Sequence, residues 1–263
     1  FFVSGYEISE SCDVQETKMK NNKEKYFLYI QIILLYNYPM DQFNSAWKYT
    51  FSNWKYFIML ALPVIAIESL TAFLIIPLAE ISQPEDFIEF FENNSLVIGM
   101  VGLIGVILQI SFLGGIWVSY LSIDKGKEIT PINALQAGLT KFFPLFGAYI
   151  LIAIVSFFGY ILLILPGIYL TARFSLFAAQ IMYENKGVFE SISSSWEMTD
   201  EYGSKLFGFT LVFVVLMISS SLILSSILPA GIVQTSILAI NEYLFVIPLG
   251  YIYFTLYKSL KER

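Results

Sequence analysis

All but one of the fifteen Lys and Arg residues fall in the two terminal regions or in alternate connections between six hydrophobic stretches. The stretches run roughly from Tyr56 to Leu78, Leu96 to Ser122, Phe142 to Leu165, Ile168 to Tyr183, Leu206 to Leu228 and Ser236 to Tyr257. The first, third and fifth connections contain no cation. The N-terminal region, the second and fourth connections and the C-terminus hold every basic residue except Arg173. A chain that crosses a bilayer keeps Lys and Arg in its cytoplasmic loops, so one pattern gives span count, orientation and class together. Both termini are expected in the cytoplasm. Charge parity also separates the third stretch from the fourth: without a turn at Pro166-Gly167, Lys141 and Lys186 would face opposite sides.

Composition agrees with a lipid solvent. Hydrophobic residues make up 57% and charged residues only 14%, against about 25% charged in soluble domains. There is no histidine and a single cysteine, Cys12. Imidazole acid–base chemistry, His metal sites, thiolate clusters and an internal disulfide are thereby excluded. No nucleotide loop, zincin helix or nucleophile elbow is present. The expectation is a protein with no catalytic residues, no cofactor, no metal and no enzymatic activity. No basic patch points to nucleic acid. The expected partners are the lipid bilayer and either another membrane protein or a second copy of the chain.

Residues 1–39 read differently from the rest. They combine a basic run, Lys18 to Lys25, with an apolar stretch of 13 residues, Tyr26 to Tyr38, too short for a span of about 20. The expectation is a non-native or disordered extension over 1–39, with the native start at Met40 and a single integral membrane domain over 40–263.

A weak threefold pattern underlies the six stretches. Ser45-Ala46-Trp47, Asn133-Ala134-Leu135 and Ser195-Trp196-Glu197 each precede a lysine and aromatics that lead into the first, third and fifth stretch. Aromatics and lysines suit the water–lipid boundary. The expected fold is all-α and polytopic, with six transmembrane helices as three hairpins, each preceded by a cytoplasmic interfacial amphipathic helix. Pro166 and Gly167 form the expected turn of the middle hairpin. Gly114 and Gly115, with other glycines of the second stretch, offer small surfaces for close helix approach.

Arg173 is the one cation outside the pattern. It lies six residues past Gly167, about 9 Å along a helix from the expected outer turn. An unpaired Arg near a span centre costs about 2.5–3.5 kcal/mol on insertion scales, so a partner is expected, either Glu242 or Glu68. The candidate intramembrane polar network is Arg173, Glu242, Glu68, Gln109 and Asn241. Polar groups at these depths tie helices together or line a solute path, and Glu68 with Glu242 would suit proton-coupled transport. A structural or accessory role in the envelope is the expected function, and a small-solute or lipid transporter the alternative. A cavity lined by Glu68, Arg173 and Glu242 favours transport. An interior in which Arg173 bonds only to protein favours the accessory role.

The stretch from Leu165 to Phe207 carries a resemblance. Leu165-Pro166-Gly167-Ile168-Tyr169 opens it, followed by Asn185-Lys186-Gly187-Val188-Phe189-Glu190-Ser191 and Ser194-Ser195-Trp196-Glu197-Met198-Thr199. This resembles the YciC-like family of bacterial inner-membrane proteins. More distantly, it is similar to the membrane domain attached to some glycerophosphodiester phosphodiesterases. The resemblance implies a multi-spanning protein of the bacterial cytoplasmic membrane without an assigned activity, and it carries over no site residues.

Overall fold

The computed structural model describes residues 40–79 and 81–262, and among these the chain is helical without strands. It divides into two units, Phe1–Ser45 and Ala46–Arg263. The expected extension over 1–39 and Cys12 lie outside the described residues. So does the question of a native start at Met40.

Helix α1 covers 40–52. It is followed by α2 (Trp54–Ile75, continued by a 3-10 turn, Ile76–Ala79), α3 (Pro84–Asp124) and α4 (Pro131–Thr140). Next come α5 (Phe142–Leu162), α6 (Ile164–Arg173), α7 (Phe177–Glu184), α8 (Val188–Met198), α9 (Gly203–Ile227) and α10 (Ile232–Lys261). Among the described residues six segments are long and apolar enough to cross a membrane: Trp54–Ala79, Pro84–Asp124, Phe142–Leu162, Ile164–Glu184, Gly203–Ile227 and Ile232–Lys261. They coincide in number and order with the six stretches of the sequence. A short helix (α1, α4 or α8) precedes the first, third and fifth of them.

The ends follow local chemistry. α3 begins 12 residues before the expected Leu96, because Pro84 occupies its first turn and Glu85 and Asp86 lie there too. Proline costs nothing at that position, and the carboxylates complement the positive end of the helix dipole. The acidic connection is therefore mostly helix rather than loop. α4 starts after Thr130, whose hydroxyl accepts from the Asn133 amide, a side-chain cap. The expected turn at Pro166-Gly167 falls three residues earlier. Leu163 is extended (φ −164°, ψ 148°), and Pro166 and Gly167 lie in the first turn of α6. Proline is tolerated there, since a first-turn N–H has no helical partner to lose. Gly167 instead serves close approach: a side chain on it would run into the Tyr160 ring of α5, and one on Gly159 would come within 3.0 Å of Gly167.

Neighbouring elements close into a circuit. α2 packs on α3 and α10, α10 on α9, α9 on α6, α6 on α5 and α5 on α3. Burial is uneven around it. The most apolar window of Ile164–Glu184 is 61% buried, against 22% in α3, α5 and α9. α6–α7 is thus central, and the other three present most of their surface outward. The outward surface is rich in large apolar side chains, among them Leu103, Phe157, Leu162, Ile218 and Leu222. Water would not tolerate an apolar girdle of that extent; hydrocarbon does.

Buried aromatic rings gather toward the lysine-bearing ends. Tyr120 is fully buried among Phe57, Trp117 and Phe254, and its hydroxyl donates 2.6 Å to the Ile247 carbonyl. Gly250 leaves room for that ring, since a Cβ there would come 2.7 Å from the Tyr120 oxygen. Ionic contacts join the same ends. Lys258 pairs with Asp124 at 2.8 Å, and Glu184 meets Lys186 at 3.1 Å, Lys261 at 2.8 Å and the Tyr257 hydroxyl at 2.7 Å.

Helix α4 lies against α3 at glycines. Gly114 and Gly115 meet Gly138 and Ala134, and a side chain on Gly138 would collide with the Ser111 carbonyl. The small-residue surface expected of the second stretch is used here within one chain. Gly99 and Gly102 face open space.

Candidate functional site

Inside a bilayer a polar side chain must find a partner within the protein, and most here do. Ser69, Thr71, Ser111, Ser119 and Thr210 each donate to the carbonyl four residues back. Asn241 ties α10 to α9, donating to the hydroxyls of Ser220 at 2.9 Å and Ser221 at 3.0 Å. The five candidate polar residues then separate into two places.

The first place is the break between α6 and α7. Arg173 ends α6, is 3% exposed and bonds to neither Glu242 nor Glu68. Its guanidinium donates to Tyr169 Oη (2.9 Å), Thr199 Oγ1 (3.1 Å), the Trp196 carbonyl (2.8 Å) and Asp200 Oδ1 (2.9 Å). Its charge also stands 4.0 Å from the centre of the Trp196 ring. These partners belong to α6, α8 and the turn leading into α9. Ser195 closes the set by donating to the Arg173 carbonyl and accepting from the Leu176 amide. Residues 174–176, where the helical run is interrupted, are thus clamped by α8. The expected pairing of Arg173 with a span carboxylate is corrected to a pairing with Asp200. The physical reason is reach: the guanidinium turns toward the end of α8, whose carbonyl and hydroxyl satisfy it at no further desolvation. Gly203 permits the closeness, since a Cβ there would come 3.0 Å from Arg173 Cδ.

The second place is a cavity of about 570 Å³ between α2, α3, α9 and α10. Glu68, Gln109 and Glu242 line it with Ser221, Ser225 and Thr235. Three of the five candidates therefore converge. Glu68 lies 14 residues into α2, about 21 Å from its start, and Glu242 lies ten residues into α10, about 15 Å from its start. Both are deep in their segments. Glu68 Oε1 accepts from Gln109 Nε2 at 2.7 Å and from the Tyr243 hydroxyl at 2.6 Å. Glu68 Oε2 is buried and has no hydrogen-bond partner. Glu242 has no hydrogen-bond or ion-pair partner among the described residues. Among the described residues no Lys or Arg lines the cavity. The rest of its wall is apolar, including Ala72, Met217, Ile218 and Leu238.

Sequence reasoning missed Thr199, Asp200 and Tyr243. Ser195 and Thr199 stand four apart with Trp196 between them, a spacing that puts both hydroxyls on one side at the end of α8, where Thr199 caps the helix; that signal was available. Tyr243 follows Glu242 directly and carried no comparable signal. Among the described residues no cluster of three or more His, Cys, Asp or Glu could hold a metal ion. No protein-family model, curated protein or solved structure matches this chain.

Proposed function

We propose that this is a multi-pass protein of a bacterial cytoplasmic membrane that binds a small solute in the cavity between α2, α3, α9 and α10 and moves it across. The alternation of cations supports cytoplasmic termini and three hairpins. The three short helices, each ahead of a long pair, support entry through cytoplasmic interfacial segments. The bacterial assignment rests on the resemblance to the YciC-like family.

One observation carries the transport reading. Two carboxylates line an open pocket partway along the helices, and among the described residues no cationic side chain lines it. A carboxylate can accept either a proton or a cationic ligand, and the two compete for the same oxygens. A group that exchanges one for the other couples a solute to proton movement. Membrane vesicles carrying the protein, incubated with an isotope-labelled pool of small metabolites, provide the test. Protein-dependent accumulation that Glu242→Gln abolishes is expected. Accumulation identical with and without the protein would refute transport.

The second reading is a structural or accessory envelope protein, and Arg173 favours it. That buried cation is held by Tyr169, Trp196, Thr199 and Asp200, so it braces α6 against α8 and the turn after it. Co-purification from native membranes distinguishes the two: a stoichiometric protein partner, or a second copy of the chain, supports bracing of an assembly. Neither reading assigns a catalytic residue.

A further inference from the structure

We propose that the ligand of this cavity is an organic cation, a primary ammonium on a compact apolar body, that binds in exchange for a proton. The inference rests on the transport reading above and names its substrate class.

The argument starts from unsatisfied oxygens. Glu68 Oε1 is used by Gln109 and Tyr243, which leaves Oε2, buried and unpartnered. Glu242 contributes two more oxygens to the same cavity. An ammonium group has three N–H donors and no acceptor. Three free carboxylate oxygens and three donors match in number and in sign.

A bare metal ion fits less well. Calcium takes six to eight oxygen ligands. Here the Gln109 amide donates to Glu68, and the Ser221 hydroxyl accepts from Asn241. Among the described residues no third His, Cys, Asp or Glu joins the two carboxylates. The volume of about 570 Å³ lies within the roughly 300–1,000 Å³ of small-molecule sites. It exceeds what a dehydrated ion fills, and Met217, Ile218 and Leu238 give its wall an apolar face for a carbon body.

Exchange follows from the same charges. In the empty cavity a proton neutralises a carboxylate. When the ammonium arrives, the proton leaves to bulk water and the carboxylate forms an ion pair with the ammonium. Charge is conserved: one cation enters and one proton departs. Affinity therefore falls as pH falls, because protons compete for the same oxygens.

Phenethylammonium is the probe, with the full chain in lipid nanodiscs and binding read by equilibrium dialysis. Proton release is followed with a pH dye in weak buffer. Saturable binding with release of about one proton is expected. The uncharged analogue 3-phenylpropan-1-ol and the donor-free benzyltrimethylammonium should bind at least about tenfold more weakly, the worth of one charged hydrogen bond. Glu242→Gln should lose at least about tenfold, and so should Glu68→Gln, in which the amide oxygen still accepts from Gln109 and Tyr243. Glu242 has no hydrogen-bond or ion-pair partner among the described residues, so its Gln variant is expected to keep the fold and give a clean result. Ser226→Ala, outside the cavity wall, should bind as wild type.

Equal binding of the alcohol, wild-type affinity in Glu242→Gln or no saturable phenethylammonium binding would each overturn the ammonium site. The two proposals fail separately. If phenethylammonium does not bind while vesicles still accumulate another solute through Glu242, the substrate class falls and transport stands. If it binds but no solute accumulates, the ammonium site stands and transport falls.

Discussion

Arg173 shows how a single buried charge is made tolerable. It combines an ion pair with Asp200, three further hydrogen bonds and the face of Trp196. Hydrogen bonds to a charged group are each worth about 1.5–3 kcal/mol, and removing one member of a buried set costs more than the set contributes. Arg173→Ala is therefore expected to lower unfolding free energy by about 3 kcal/mol or more, read from melting of the purified protein. Asp200 is 76% exposed in its side chain, so Asp200→Asn should cost less than about 1 kcal/mol. Arg173→Ala and Thr199→Ala share a hydrogen bond and should be non-additive. Arg173→Ala and Glu242→Ala share none and should add to within about 0.5 kcal/mol. Strong coupling between Arg173 and Glu242 would contradict the separation of the two polar places. The sequence revealed that Arg173 needs a partner, because an isolated cation in an apolar run is conspicuous. It concealed which one, because Asp200 lies 27 residues away in what reads as a solvated connection. Conversely, Glu68, Gln109 and Glu242 stood out as polar residues in apolar stretches, and the fold brings all three to one cavity.

The elements were legible where periodicity and charge speak, and less so at their ends. Six long segments and the three short helices before them follow from hydropathy and from the aromatic-lysine approaches. The twelve extra residues of α3 were signalled by Pro84, Glu85 and Asp86, a helix start that reads as a loop when acidic residues are taken as solvated. The break at 174–176 has no such signal, since Phe174, Ser175 and Leu176 contain neither Pro nor Gly. It exists because α8 supplies hydrogen bonds to the freed backbone, a tertiary effect. Glycine positions separate in the same way. Gly138→Ala forces a methyl against the Ser111 carbonyl, which cannot swing aside as a side chain could. A loss of about 1–3 kcal/mol in the thermal melt is expected. Gly99→Ala meets nothing within 4 Å and should be neutral or stabilising by up to about 1 kcal/mol, from helix propensity alone. The reverse ranking would mean that α3 and α4 do not meet at these glycines.

At the scale of the molecule, two densities coexist. The lysine-bearing ends are joined by Tyr120, Trp117, Tyr257 and the Glu184 ion pairs. Deeper along the helices the neighbours separate enough to leave the cavity of Glu68 and Glu242. A bundle anchored at one end, with an open pocket partway along its helices, is compatible with the proposed admission of a ligand. The proposed orientation in lipid is the premise beneath every functional statement, and the alternation of Lys and Arg along the chain is what supports it. Cysteine labelling tests this most directly. With Cys12 replaced by Ser, single cysteines at Lys127, Ser259, Asp86 and Ala230 are exposed in intact cells to a membrane-impermeant maleimide. The account predicts reaction at 86 and 230, and none at 127 and 259 until the cells are opened. Labelling of 127 or 259 from outside, or equal labelling of all four, would contradict it.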